Sequence, residues 1–357
     1  MSNIEPTIES GLHVENHRAG GRLRLGIVGI VALSTLVVGG VLFVLFVDSA
    51  ESTSTRLCDA AQIESGCVLS VPLDVTSLEL FDQIPWGFAI SPDTRSVLVS
   101  FTAESNDRDT GHADRLVVAE FDTSSGQVRH VLIDVVGRPG EVVSGAVAYS
   151  PDGTLAVAST LSGSSSQLDL FDMRMGAPVT TIGSVSDTRC RYVGLSPDGR
   201  LVQCDDSVFS IADGSRVERS DGFVSYLDEQ GISRTGLTAS FSWVENPGDF
   251  IEITSPSSSS SGELIARFSR ERLEQERIVG DLNFDPSGRY VLNDFTVGPT
   301  VRSAVTHFVL YDVETGASVW NSQLGFKRWE LAWNENGALA ALSLDLDVAV
   351  FQPKPLR

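Results

Sequence analysis

The chain has 357 residues, 42% hydrophobic and 20% charged, with 47 acidic residues against 26 Lys and Arg and a formal net charge of -21. So large an acidic excess repels nucleic acid and anionic lipid headgroups, which argues against a nucleic-acid role and favours basic or protein partners. The length exceeds most single compact domains and suits a repeat array, whose core grows one unit at a time.

Residues 1–24 are polar and lack an apolar period, and Arg18, Arg22 and Arg24 balance Glu5, Glu9 and Glu15. They are expected to form a disordered cytoplasmic tail. Leu25 to Val47 is a run of apolar and small residues without a charge. As a helix rising about 1.5 Å per residue, it can span a ~30 Å hydrocarbon core. Arginines precede it and Asp48 and Glu51 follow it, so the positive-inside rule puts the N-terminus in the cytoplasm and the remainder outside. A cleaved signal peptide is the competing reading, but this run exceeds the ~7–15 residues of a signal core, which favours a single-pass type II anchor in the cell membrane.

Residues 48–67 read as a polar juxtamembrane linker that carries Cys58 and Cys67, and residues 68–357 as the extracytoplasmic domain. Four cysteines in an exported domain argue for disulfides, and Cys-x-x-Cys metal spacing is absent. Three pairings are open; the local one joins Cys58 to Cys67 and Cys190 to Cys204.

A four-residue turn punctuates the rest. Ser150-Pro151-Asp152-Gly153 recurs as Ser196-Pro197-Asp198-Gly199, closely as Ser91-Pro92-Asp93-Thr94 and Asp285-Pro286-Ser287-Gly288, and in polar character as Asn334-Glu335-Asn336-Gly337 and Asp228-Glu229-Gln230-Gly231. Proline suits the second position of a type I turn, Asp or Ser bonds locally, and glycine takes the positive φ that closes a hairpin. Apolar residues precede each copy and β-rich runs such as Val97-Leu98-Val99 and Tyr290-Val291-Leu292 follow most of them. A second signature is an aromatic-Asp pair with glycine four residues after the Asp: Phe121-Asp122 with Gly126, Phe171-Asp172 with Gly176, Tyr311-Asp312 with Gly316. Two hairpins per unit make a four-stranded blade.

On these turns and aromatic-Asp pairs the chain, from about Val68 to Gln352, resembles WD-repeat proteins and the related bacterial β-propellers of the Tol-system periplasmic type. The resemblance implies an all-β propeller of six to seven four-stranded blades. At about 40–45 residues per blade the length favours seven, with more than one irregular unit in Phe223–Phe268. Ring closure is expected between Val68–Leu73 and Val348–Gln352. Ser257–Ser261 reads as a solvated loop and Ser269–Arg277 as a short helix or connector.

Chemistry is sparse. The exported part has only His112, His130 and His307, and the sequence has no Gly-x-Ser-x-Gly elbow. No catalytic residue, metal ligand or cofactor is therefore assigned. Asp107, Asp109 and Asp114 around Gly111 do not keep calcium-loop spacing. The family topology puts the loops between second and third strands on the face opposite the Ser-Pro-Asp-Gly turns. Asp107, Asp109, Asp114, Asp205, Asp206, Asp294, Asp345 and Asp347 fall in or beside those segments, making one acidic rim. The expected function is a membrane-anchored, non-catalytic protein-interaction or sensing module with a protein partner at that rim. The alternatives are a glycan or small-molecule binder using the central channel, with Trp86, Trp243 and Trp333 for stacking, and a metal-dependent hydrolase or lactonase.

Overall fold

The computed structural model describes residues 67–80, 83–104, 114–137, 143–162, 165–186, 190–218, 233, 236–241, 250–255, 263–269, 276–278, 281–297, 305–324, 328–343 and 345–353. All belong to one compact unit, Glu51–Arg357. The expected tail, transmembrane helix and linker with Cys58 lie outside them, as do Asp107, Asp109, His112, Trp243, the Asp228–Gly231 turn and Ser257–Ser261. Among the described residues no helix is long and apolar enough to cross a membrane.

The described residues form six antiparallel sheets. The first blade is β2 (Ile84–Ile90), β3 (Ser96–Glu104), β4 (Asp114–Asp122) and β5 (Val128–Val136) in simple succession. In the second, β8 (Leu155–Ser162), β9 (Ser165–Asp172) and β10 (Ala177–Ser186) follow an inner strand broken into β6 (Val143–Ser144) and β7 (Val147–Tyr149), both paired with β8. The third is β11 (Val193–Leu195), β12 (Leu201–Cys204), β13 (Ser207–Ser210) and β14 (Arg216–Val217). The fourth shows β15 (Thr238–Phe241), β16 (Phe250–Ser255) and β17 (Glu263–Ser269). The fifth has a broken inner strand again, β18 (Glu276–Ile278) and β19 (Leu282–Phe284), then β20 (Tyr290–Val297), β21 (Val305–Asp312) and β22 (Ser318–Leu324). In the sixth, β23 (Arg328–Trp333), β24 (Leu339–Ser343) and β25 (Asp347–Phe351) are completed by β1 (Cys67–Pro72), the earliest described strand.

That completion closes the ring where the sequence placed it: Val71 pairs with Val348 and Leu69 with Val350. The seam is also tied on the turn side, where Asn334 Nδ2 donates to the carbonyls of Ser91 (3.0 Å) and Pro92 (3.2 Å). The count is six sheets among the described residues, not the favoured seven, and Phe223–Phe268 contains β15, β16 and most of β17 of one sheet. Glu276 and Arg277, expected in a short helix or connector, lie in β18.

Successive side chains of a strand point to opposite faces, so near-continuous apolar runs such as Val97-Leu98-Val99 bury both faces of a strand. In β3, Val97, Val99 and Phe101 pack toward Leu342, Val348 and Val350 of the sixth blade, while Leu98 packs toward Ala156 and Phe171 of the second. The same sharing joins the second blade to the third through Leu170 and Val202, the fourth to the fifth through Ile253 and Phe295, and the fifth to the sixth through Phe308 and Phe351.

The repeated turn works through its first residue as much as its Pro, Asp and Gly. Ser150 Oγ accepts the N–H of Leu155 (2.9 Å) and donates to Asp152 (2.6 Å), while the N–H of Gly153 donates to the Ser150 carbonyl (2.8 Å). Ser91, Ser196, Asp285 and Asn334 act alike, each capturing the N–H of Ser96, Leu201, Tyr290 or Ala338. A sixth copy lies at Ser233–Gly236, where Ser233 Oγ accepts the Leu237 N–H (2.8 Å) and Gly236 has φ 84. That turn precedes β15, so β15–β17 occupy the second to fourth places of their blade.

The second signature sets a spacing between blades. Gly126, Gly176, Gly214 and Gly316 all have positive φ, and a Cβ on each would meet the outer strand of the preceding blade: Pro72, His130, Ile182 and Phe268 respectively. Within the turn, Asp122 accepts the N–H groups of Ser124 (2.8 Å) and Ser125 (3.0 Å) and pairs with Arg129 (2.6 Å). Burial pushes its carboxyl up, but hydrogen bonds from Ser124 and Arg129 outweigh this and hold it at about 2. A depressed carboxylate stabilises the fold above its unfolded value, 3.8, and that stabilisation is lost as pH falls toward 2. Urea midpoints measured between pH 5 and pH 2 should therefore fall less steeply in Asp122→Asn than in the parent, and parallel curves would assign the acid sensitivity to other groups.

Cys190 and Cys204 are joined, with Cα atoms 5.0 Å apart. Cys204 faces Val193 in the β11–β12 ladder, so the bridge fastens the segment leading into β11 and not two cross-strand partners of the hairpin. A link of this span contributes about 3 kcal/mol. Cys67 is disulfide-bonded too.

Candidate functional site

Inner strands β2, β7 and β23, with the lead-in to β11, wall a cavity of about 150 Å³. Its lining follows β2 from Trp86 to Ile90 and on to Pro92, β7 from Ala146 to Ser150, and β23 from Glu330 to Glu335. The cavity therefore runs along the direction of the inner strands. Two close approaches shape the wall. Gly87 has no room for a Cβ, which would lie 2.7 Å from the Gly145 carbonyl oxygen, and Ser100 Oγ donates to that same carbonyl.

Aromatic rings stand at this wall. Trp86 is 53% exposed and Tyr192 41% exposed, whereas Trp333 is 7% exposed and its indole N–H is buried without a hydrogen-bond partner. Arg191, Glu330 and Glu335 bring charge to the same lining. Tyr149 also lines the cavity, and its hydroxyl contacts Glu120 (3.2 Å) and Ser96 (3.0 Å). Burial first, then the Glu120 charge, push that hydroxyl well above the usual phenol range. It stays protonated and fixes the end of β7.

The acids expected on the rim separate into different roles. Asp205 accepts the N–H groups of Arg191 (3.0 Å) and Tyr192 (2.9 Å). It is a positioning residue for two cavity-lining side chains. Asp294 is 3% exposed inside β20 and accepts the Asp281 N–H (3.0 Å), so it departs from the expected surface role. Asp294, like Ser159 with the Ala146 N–H (2.8 Å), supports an inner strand where its ladder is interrupted, and Asp205 holds the residues that lead into β11. Asp206 and Asp345 are exposed and Asp347 is half-buried. Asp114 opens β4 opposite Glu104.

The described histidines are accounted for by packing. His307 stacks on Phe295 at 5.4 Å, and His130 Nε2 lies 3.8 Å from Glu120 Oε2 beside Gly176. Among the described residues no group of three or more His, Cys, Asp or Glu is placed to hold a metal ion.

Six antiparallel sheets in succession, sharing cores and closed by an early strand on the last, with a cavity between inner strands, make this an all-β protein of the β-propeller type. No protein-family model matches the chain, and no curated protein matches it. Among solved structures it is similar to the hydrazine synthase of Kuenenia stuttgartiensis (16% identity, TM-score 0.37, 76% of this chain and 97% of that one). It is also similar to TolB from Acinetobacter baumannii (12%, 0.35, 77% and 64%) and the periplasmic gluconolactonase of Pseudomonas aeruginosa (16%, 0.32, 82% and 94%).

Proposed function

We propose that the protein is a non-catalytic binding or sensing module, a propeller held outside the cytoplasmic membrane by the 25–47 segment, which recognises its partner at the inner-strand cavity. The supporting observation is the company kept by two exposed aromatic rings: Trp86 and Tyr192 share one cavity lining with Arg191 and Glu330. A concave wall that combines aromatic faces with a few placed polar and charged groups is the ordinary composition of a recognition site. Large aromatic faces in such a place supply contact area to whatever covers them.

The acidic rim is the weaker site. Asp205 and Asp294 already accept backbone N–H groups, leaving Asp206 and Asp345 as its exposed members within the described residues. A membrane-impermeant crosslinker applied to intact cells tests location and site together. The parent should capture a discrete partner, and Trp86→Ala with Tyr192→Ala should reduce capture about tenfold or more. Capture lost only with Asp206→Lys and Asp345→Lys would move the site to the rim; capture unchanged in all variants would sink the reading.

A further inference from the structure

The first and second blades meet over one buried carboxylate. Glu120 is 3% exposed on β4, and by the period of two it shares the face of Leu116 and Val118, which pack against the second blade. Its Oε1 accepts the Tyr149 hydroxyl (3.2 Å), but its Oε2 is buried without a hydrogen-bond partner. An ionised carboxylate out of water needs donors at both oxygens, so the open one is costly. The neighbouring cation does not serve it, because the Arg129 guanidinium is bonded to Asp122 (2.6 Å and 3.1 Å).

His130 stands ready instead. It faces Glu120 directly across the β4–β5 ladder, with Nε2 3.8 Å from the open oxygen. That gap exceeds a hydrogen bond, and closing it takes a movement of about 1 Å. The imidazole is 30% exposed, so solvent protons reach it, and it lies against Gly176 of the second blade, where a Cβ would collide with the ring. Other charged groups at this joint are engaged locally. Asp172 accepts the Arg174 N–H (2.8 Å), Asp152 holds Ser150 and Thr154, and Asp93 holds Ser91 and Arg95. The Arg174 side chain is exposed, and the Tyr149 hydroxyl stays protonated. A neutral imidazole has one ring N–H, which either nitrogen can carry. An imidazolium has an N–H on both nitrogens and a charge to match Glu120.

We propose that His130 and Glu120 form a proton-operated latch between the first and second blades. When His130 takes up a proton from solvent, its Nε2–H donates to Glu120 Oε2 and the joint tightens around Tyr149. When the proton leaves, the oxygen is unanswered again and the joint loosens. The latch acts on the joint itself and does not depend on what the cavity binds.

The proton is held by Glu120 only in the folded chain, so the folded state binds more protons than the unfolded one. The stabilisation is therefore present at low pH and lost as pH rises through the range in which imidazoles titrate. Thermal unfolding of the full-length chain, in one non-ionic detergent throughout, compares the parent with His130→Gln from about pH 8 to about pH 5. This window lies above the one in which Asp122 loses its stabilisation. The remaining histidines titrate in both chains and cancel in the comparison. The Tm advantage of the parent should widen by about 2–4 °C on acidification. Glu120→Gln, equal in size but uncharged, should remove that widening, so that adding His130→Gln to it costs the same at both ends of the range. A packing role alone would give a difference indifferent to pH. A constant difference, one that narrows toward pH 5, or a widening that survives Glu120→Gln overturns the latch.

Discussion

Gly126→Ala is expected to destabilise the protein by about 2–5 kcal/mol, whereas Gly199→Ala is expected to cost about 1–2 kcal/mol. Both glycines have positive φ, 71 and 65, so both substitutions carry the left-handed strain of an L-residue. They differ in what the new methyl meets. At Gly199 nothing lies within 4 Å, while at Gly126 the Cβ would collide with the backbone carbonyl of Pro72, which cannot swing aside as a side chain could. Pro72 ends the closing strand, and the next residues are fastened to the same turn: the Asp74 N–H donates to the Gly126 carbonyl (2.8 Å) and Gln127 Nε2 to Asp74 (3.0 Å). Urea unfolding of both variants provides the comparison. Equal losses would mean that the closing strand does not press on the first blade.

Phe351→Ala is expected to cost about 3–5 kcal/mol. Phe351 is fully buried, in T-shaped contact with Phe308 (5.8 Å) and Trp320 (5.9 Å) of the fifth blade, and it pairs with both Cys67 and Leu339. Truncation would leave a void at the joint of two blades just where β1 joins the ladder. The midpoint should shift with a preserved m-value if the ring still unfolds as one unit. A drop in m would instead report a ring already open before the main transition, and a loss below 1 kcal/mol would contradict the packing described.

The turns were readable because their chemistry is local. Pro, Asp and Gly at adjacent positions need no distant partner, and five of the six copies stand where the sequence places them. The copy read at Asp228–Gly231 lies outside the described residues, and a further turn of the same kind runs from Ser233 to Gly236, where the sequence has neither Pro nor Asp. The signal readable in the sequence there is Ser at the first position with Gly three residues later and apolar Leu237 after it. The turn at Ser210–Gly214 escaped for a similar reason, since Ser210 stands where the other copies have Asp. The expected range of six to seven blades meets six sheets among the described residues, and seven was favoured only from a typical spacing of about 40–45 residues per blade. The roles of Asp205 and Asp294 could not be separated in the sequence. Whether an acid faces solvent or captures a backbone N–H depends on where the neighbouring inner strand starts or breaks, a non-local property. The cavity is non-local as well, since Trp86, Tyr192 and Trp333 meet one space only after the sheets assemble.

The closing strand also fixes how the ring carries load. β1 is the earliest described strand and the outer strand of the last sheet, so tension arriving from residues before Cys67 enters at the seam and not within a blade. Pulled along its own axis, β1 must shear its paired positions from Cys67 to Pro72 together. Pulled across that axis, it would peel from β25 one pair at a time. The ring is thus mechanically anisotropic, and single-molecule extension from the N-terminal side should begin with the release of β1.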